Sequence, residues 1–197
     1  QLPEPRESVY LAAVCAQGET VGAAFLDIST GEFRATQASG KNAWDKIVAD
    51  IESYAPRELI FPQALSALVR AGFRNEHKTA PLPLSEADGI QESGVGESEV
   101  NMSGSRPPPP GSNAVSATLT ALDDWLWQTD DSAALLIKQF GVRSLDGYGL
   151  TRKQEAIRAA GACLRYAQET QRATAAHIAD IVYFEPQDHL VLDQITV

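Results

Sequence analysis

Residues Gly22-Ala23-Ala24-Phe25-Leu26-Asp27-Ile28-Ser29-Thr30-Gly31-Glu32-Phe33 read as an apolar strand that enters a tight turn and returns at once as a second strand. The turn residues are Ser29-Thr30-Gly31, and the strand before them opens on three of the smallest side chains, Gly22, Ala23 and Ala24. Small residues inside a strand leave room for a helix or another backbone to come very close. Upstream, the apolar run 9–17 is joined to 20–30 by the short turn Gln17-Gly18-Glu19, which suits a hairpin. Residues 9–17, 20–30 and 32–37 therefore predict a three-stranded antiparallel meander.

A helix is expected over 41–54, with Ser39 as its N-cap, because Trp44, Ile47, Val48 and Ile51 follow the spacing of one buried stripe. Pro56 ends it. The apolar stretch 58–61 then reads as a strand that crosses over to lie parallel to the meander. A second helix, 63–71, stops at Gly72. Three antiparallel strands, a helix, a strand and a helix make the element order of a ribonuclease H-like α/β domain with a mixed sheet and flanking helices.

Residues 80–116 change character to Pro, Gly, Ser and Glu, with Pro107 to Pro110 in a row. Such a stretch buries too little surface to offset its ordering entropy and is expected to be a mobile loop. Beyond it, 121–128 carries Leu122, Trp125 and Leu126 and reads as a short helix. Asp131 or Ser132 can cap a further helix to Phe140, ended by Gly141, and Gly147 and Gly149 flank Tyr148 in a turn. Thr151 opens a helix expected to reach about Ile178, about 40 Å at 1.5 Å per residue. Its middle, Ala159-Ala160-Gly161-Ala162, is small on every side, so a neighbour can approach closely.

At 197 residues and 44% hydrophobic content the chain can bury a core, and its longest apolar runs fall far short of the roughly 20 residues of a membrane span. No basic and apolar leader opens it, and a first residue of Gln1 suggests a piece of a longer protein. Cys15 and Cys163 lie in apolar runs and read as small buried hydrophobes of a reducing, cytoplasmic compartment. The net charge is −10, most of it from residues 79–131, which carry nine acidic side chains and one basic. No cluster of Lys and Arg is present to neutralise a phosphate backbone, which argues against strong direct DNA binding by this chain alone.

Asp27 is the sharpest chemical candidate, since nucleases of ribonuclease H-like fold hold two metal ions with acids from the first strands, the following helix and the fourth strand. Asp50 or Glu52 could supply the helix member, but Leu59-Ile60-Phe61-Pro62 offers no carboxylate. Asp27 is expected instead to hydrogen-bond the turn around Ser29 to Gly31. His77, His177 and His189 have no metal-ligand spacing, Gly40-Lys41 lacks the rest of a phosphate loop, and no serine sits in a nucleophile elbow. No catalytic, cofactor-binding or metal residue is assigned.

Tyr10-Leu11-Ala12-Ala13, residues 25–33, Phe140-Gly141-Val142-Arg143-Ser144-Leu145, Gly147-Tyr148-Gly149 and residues 159–172 (AAGACLRYAQETQR) resemble, in this order, the MutS mismatch-repair family. The resemblance implies a connector domain of ribonuclease H-like fold at 1–120, containing the loop at about 80–116. It implies that 121–197 holds connector-to-core helices and the start of an all-α core, or lever, domain. The family's Phe-x-Glu mismatch wedge and its ATPase are not in this chain, so ATP and Mg are expected in the parent protein, itself expected to be a homodimer that binds mismatched DNA. The implied role is non-catalytic: to couple mismatch recognition to ATP turnover, with helix 151–178 as the lever, and to present a surface to a MutL-type protein. No partner-binding residue is assigned: the turn region and helix 132–140, whose Ala134, Leu135, Leu136 and Ile137 exceed the needs of one apolar stripe, are the candidates for that surface, and the alternative is that the fold covers both sides of the helix. The alternatives are a divalent-metal nuclease of the same fold and a MutS paralogue acting in recombination.

Overall fold

β1 (Tyr10–Gln17) and β2 (Thr20–Asp27) form the expected hairpin, in register from Gln17 opposite Thr20 to Tyr10 opposite Asp27. The computed structural model describes residues 8–73, 116–170 and 175–186. The N-terminal polar stretch 1–7, the loop 80–115, His77, His189 and the apolar piece 190–192 lie outside the described residues. β3 (Phe33–Ser39) continues the meander antiparallel to β2. After α1 (Ala43–Tyr54), β4 (Glu58–Pro62) returns parallel to β1, with Leu11 opposite Glu58. A 3-10 turn at Gln63–Leu65 leads into α2 (Ser66–Gly72).

Two local expectations are corrected. Ser39 stays in β3, where its hydroxyl shares a hydrogen bond with Thr20, and α1 begins at Ala43 without a side-chain cap. The short helix predicted over 121–128 is instead the end of β5 (Thr118–Leu122), parallel to β4, followed by a 3-10 helix at Asp124–Trp127. Leu122, Trp125 and Leu126 imitate a helical stripe, whereas the partner that makes 118–122 a strand lies some 60 residues upstream. α3 (Thr129–Phe140) ends, as expected, on a left-handed Gly141, and α4 (Gln154–Thr170) precedes a final short strand, β6 (Val182–Tyr183), parallel to β3.

The sheet order is β5-β4-β1-β2-β3-β6. Both faces are covered, which is why β1 and β2 read as continuous apolar runs without alternation. On one face Ala12, Val14, Phe25, Leu59 and Phe61 meet Ile47 and Ile51 of α1 and Val69 of α2. On the other, Leu11, Ala13, Ala24, Leu26 and Ile60 meet α3 and α4 through Leu136, Ala160, Cys163 and Leu164.

This second face changes the expected domain division. A boundary at 120/121 cuts β5 in half, and the helices expected to begin an all-α core flank the sheet instead. α4 buries ten of its 17 residues, including every residue from Ala159 to Leu164, because the sheet lies on one side of it and α3 on another. The described helix is about 26 Å long and starts at Gln154 rather than Thr151. Its small residues allow close contact within the domain, so α4 is the spine of this α/β unit and not a shaft leaving it.

Candidate coupling and docking site

Among the described glycines, the closest approach joins β2 to the first turn of α4. A Cβ placed on Gly22 would lie 2.2 Å from the carbonyl carbon of Glu155 and 2.6 Å from the nitrogen of Ala156, so only glycine fits. From β3, the Gln37 side-chain oxygen accepts the N–H groups of Glu155 and Ala156 at 3.0 and 3.3 Å. Those donors have no partner inside the helix, so Gln37 serves as a cap brought from another element. Glu155 is itself buried and receives the Arg158 guanidinium at 2.9 Å, while Arg158 also reaches the Trp127 carbonyl at 2.5 Å and Gln17 at 3.2 Å. A buried charge is tolerated only when paired in this way.

A second close contact joins α4 to α3, where a Cβ on Gly161 would lie 2.3 Å from the Ser132 side chain. Farther along, the Gln139 amide donates to the carbonyls of Ala175 and Ile178 at 2.9 and 3.0 Å, and its oxygen accepts from Gln168 at 3.1 Å. The same 175–178 segment meets the β2–β3 turn, since a Cβ on Gly31 would lie 3.1 Å from the His177 carbonyl oxygen. The small residues Gly22 and Gly161 signalled close approach in the sequence. Gln37 and Gln139 carried no signal, because a glutamine's partners are set by elements 118 and 36 residues away.

Asp27 does what the turn chemistry predicts: its carboxylate accepts the Ser29 N–H at 2.8 Å and the Ser29 hydroxyl at 2.6 Å. Burial pushes its pKa up, but the hydrogen bonds from Ser29 outweigh this and hold the carboxyl below the usual value. Asp50 is buried on α1 and Glu52 is exposed. Among the described residues no three His, Cys, Asp or Glu side chains stand close enough together to hold a metal ion. His177 is exposed, and Gly40, with φ of +96°, turns the chain into α1.

Cys15 and Cys163 are unpaired and buried, and burial raises both thiol pKa values, helped at Cys15 by the Glu155 carboxylate. A cavity of about 440 Å³ opens between the starts of β1 and β4, lined among others by Val9, Ile28, Arg57 and Glu58. Beside it, Glu58 accepts hydrogen bonds from Thr120 at 2.6 Å and Tyr166 at 2.7 Å. Burial, with Glu58 adding to it, pushes the Tyr166 pKa up to about 12. This cavity had no sequence signal, since it forms where four separate chain segments meet. On α3, Ala134 and Lys138 are exposed, Leu135 and Ile137 half-buried, and Leu136 fully buried. The apolar residues beyond one stripe are thus partly covered by the fold itself.

No helix among the described residues is long and apolar enough to cross a membrane. A family model described as MutS domain II matches residues 9–89 and 110–179. The chain is similar to the DNA mismatch repair protein MutS of Roseiflexus castenholzii, with 33% identity over 196 residues covering 98% of this chain. It is also similar to the proteins of that name from Solibacter usitatus, 31% identical over 100% of this chain, and Cytophaga hutchinsonii, 28% identical over 95%. The chain spans only 17 to 18% of the length of these relatives. A six-stranded mixed sheet with helices on both faces, matched by that model over most of the chain, places the protein in the MutS mismatch-repair family as its domain II.

Proposed function

We propose that this chain is the non-catalytic connector of a mismatch-repair ATPase, relaying movement between mismatch recognition and ATP turnover and offering α3 to a MutL-type protein. The observation that carries this reading is the way α4 is gripped. Gly22 meets the Glu155 backbone and Gly161 meets Ser132 with no side chain between them to flex. A rotation applied to the sheet, α3 or α4 is then passed to the others with little loss, because close-packed contacts do not deform continuously. ATP, Mg and mismatched DNA belong to other parts of a cytoplasmic, homodimeric parent in this reading. The names of the relatives favour repair over a recombination paralogue.

Inserting Gly-Pro at Ala160 would not test the relay, since Ala160 is fully buried and the insertion would unfold the domain. Gln139→Leu is the sharper variant: it removes the clasp on 175–178 while keeping most of the side-chain volume. In the full-length parent, mismatch binding and basal ATP turnover should each persist while mismatch no longer alters turnover; an intact coupled response would overturn the relay. For docking, Ala134→Glu and Lys138→Glu change exposed positions of α3, with Leu135→Glu beside them. Capture of a purified MutL-type protein should fall at least tenfold, and unchanged capture by all three would exclude α3. Cleavage of branched DNA or an RNA:DNA hybrid by the chain with Mg²⁺ or Mn²⁺ would favour the nuclease alternative instead.

A further inference from the structure

Two tryptophans of one 3-10 helix have opposite fates: Trp127 is 1% exposed and Trp125 is 61% exposed. The exposure of Trp125 is not a sign of a loose segment. The Leu126 N–H donates to the Asp123 carbonyl, the Ala64 N–H donates to the Asp124 carboxylate at 3.1 Å, and the Trp127 carbonyl is held by Arg158. The indole is therefore presented on a fixed turn, so a partner would find its orientation already set.

The structure also shows what chemistry this ring accepts. The Arg165 guanidinium carbon of α4 stands 5.9 Å from a ring centroid of Trp125, within cation–π range, yet leaves most of the side chain in solvent. In the sequence flanking the ring the chain carries Asp123, Asp124, Asp130 and Asp131, all exposed, and between 123 and 131 no basic residue. An arginine or lysine side chain would find both an aromatic face and carboxylate acceptors, and tryptophan is among the residues that most often anchor protein interfaces.

We infer that Trp125, with the exposed Asp123 and Asp131 that flank it in sequence, is a docking point for a basic segment of a partner protein, one that places an arginine on the indole already met by Arg165. This goes beyond the α3 reading and stands independently of it, since it rests on the 3-10 helix before α3.

The test uses the full 197-residue chain and a fluorescein-labelled octa-arginine peptide, read by fluorescence anisotropy at near-physiological salt. Trp125→Ala leaves the net charge unchanged and should weaken binding at least tenfold, while Trp125→Phe should recover most of it. Asp123→Asn with Asp131→Asn should weaken binding several-fold and flatten its salt dependence. Leu68→Ala, another exposed apolar position, and Asp180→Asn, another exposed acid, should bind like the unaltered chain. Equal binding by Trp125→Ala and the unaltered chain would reduce the effect to diffuse acidic attraction and overturn the inference. Absence of binding by the unaltered chain, or preference for a labelled single-stranded oligonucleotide over the peptide, would overturn it as well.

Discussion

Gly22→Ala tests the junction on which the architecture depends. The added methyl carbon would sit 2.2 Å from the Glu155 carbonyl carbon and 2.3 Å from its oxygen. Ordinary carbon contacts need about 3.5 Å, so β2 and α4 must part by roughly 1.3 Å. Neither can do so freely: Gly22 is paired to Cys15 on one side and Gln37 on the other, and both neighbouring strands lie inside the sheet. Overpacking of this kind costs about 1–3 kcal/mol. The displacement also stretches the two hydrogen bonds that Gln37 accepts from the start of α4, at about 1 kcal/mol each. Reduced freedom of the unfolded chain returns about 0.5 kcal/mol, leaving a net loss of about 3 kcal/mol. The melting temperature should then fall by roughly 10 °C, at about 3 °C per kcal/mol for a chain of this size. Urea unfolding followed by circular dichroism should show a lower midpoint with an unchanged slope. Gly18→Ala is the comparison, because Gly18 has φ of +60° but nothing within 4 Å of its added methyl. It should lose only about 1 kcal/mol, from backbone strain alone. A Gly22→Ala loss no larger than that of Gly18→Ala would show that β2 and α4 can part without penalty, and the argument for a rigid grip would go with it.

Asp27→Asn should lower stability by about 1–2 kcal/mol at pH 7, through the charge-assisted bonds to Ser29. Because the folded carboxyl titrates below its unfolded value of about 3.9, its contribution is fully present above that value and is lost as pH falls through the folded pKa. The gap between Asp27→Asn and the unaltered chain, read from urea midpoints, should therefore close only on the acid side of about pH 4; a gap that closed near neutrality would contradict the assignment. The two buried thiols should be inert to Ellman's reagent in the native chain and both react once it is unfolded in urea. Rapid native labelling of either would mean that α4 lifts from the sheet more readily than these contacts allow.

The division between what was readable in the residues and what was not follows the range of the interactions involved. The meander, the parallel return of β4, the role of Asp27 and the burial of both cysteines follow from turn residues, apolar periodicity and small-residue runs, all signals within about ten positions of the element they shape. Even the close approach at Gly22 and at Gly161 is written in missing side chains, though the sequence does not say which neighbour takes up the space. β5 escaped because 118–122 becomes a strand only by pairing with β4, and the nearby Leu122, Trp125 and Leu126 satisfy a helical rhythm equally well. The lever role that the resemblance implies for the long helix is not settled by its residues, because its length and small side chains are compatible with either exit from the domain or burial in it.

By itself, then, the order of residues determined the local geometry and the family. Only the folded arrangement decided that α4 is the spine of the sheet domain, that Gln37 caps it, that Gln139 ties down 175–178, and that Trp125 points outward while Trp127 fills the core. Those outcomes depend on contacts between segments tens of residues apart. A side chain's partner at that range is chosen by how helices settle on a sheet, a geometric result that no local pattern encodes.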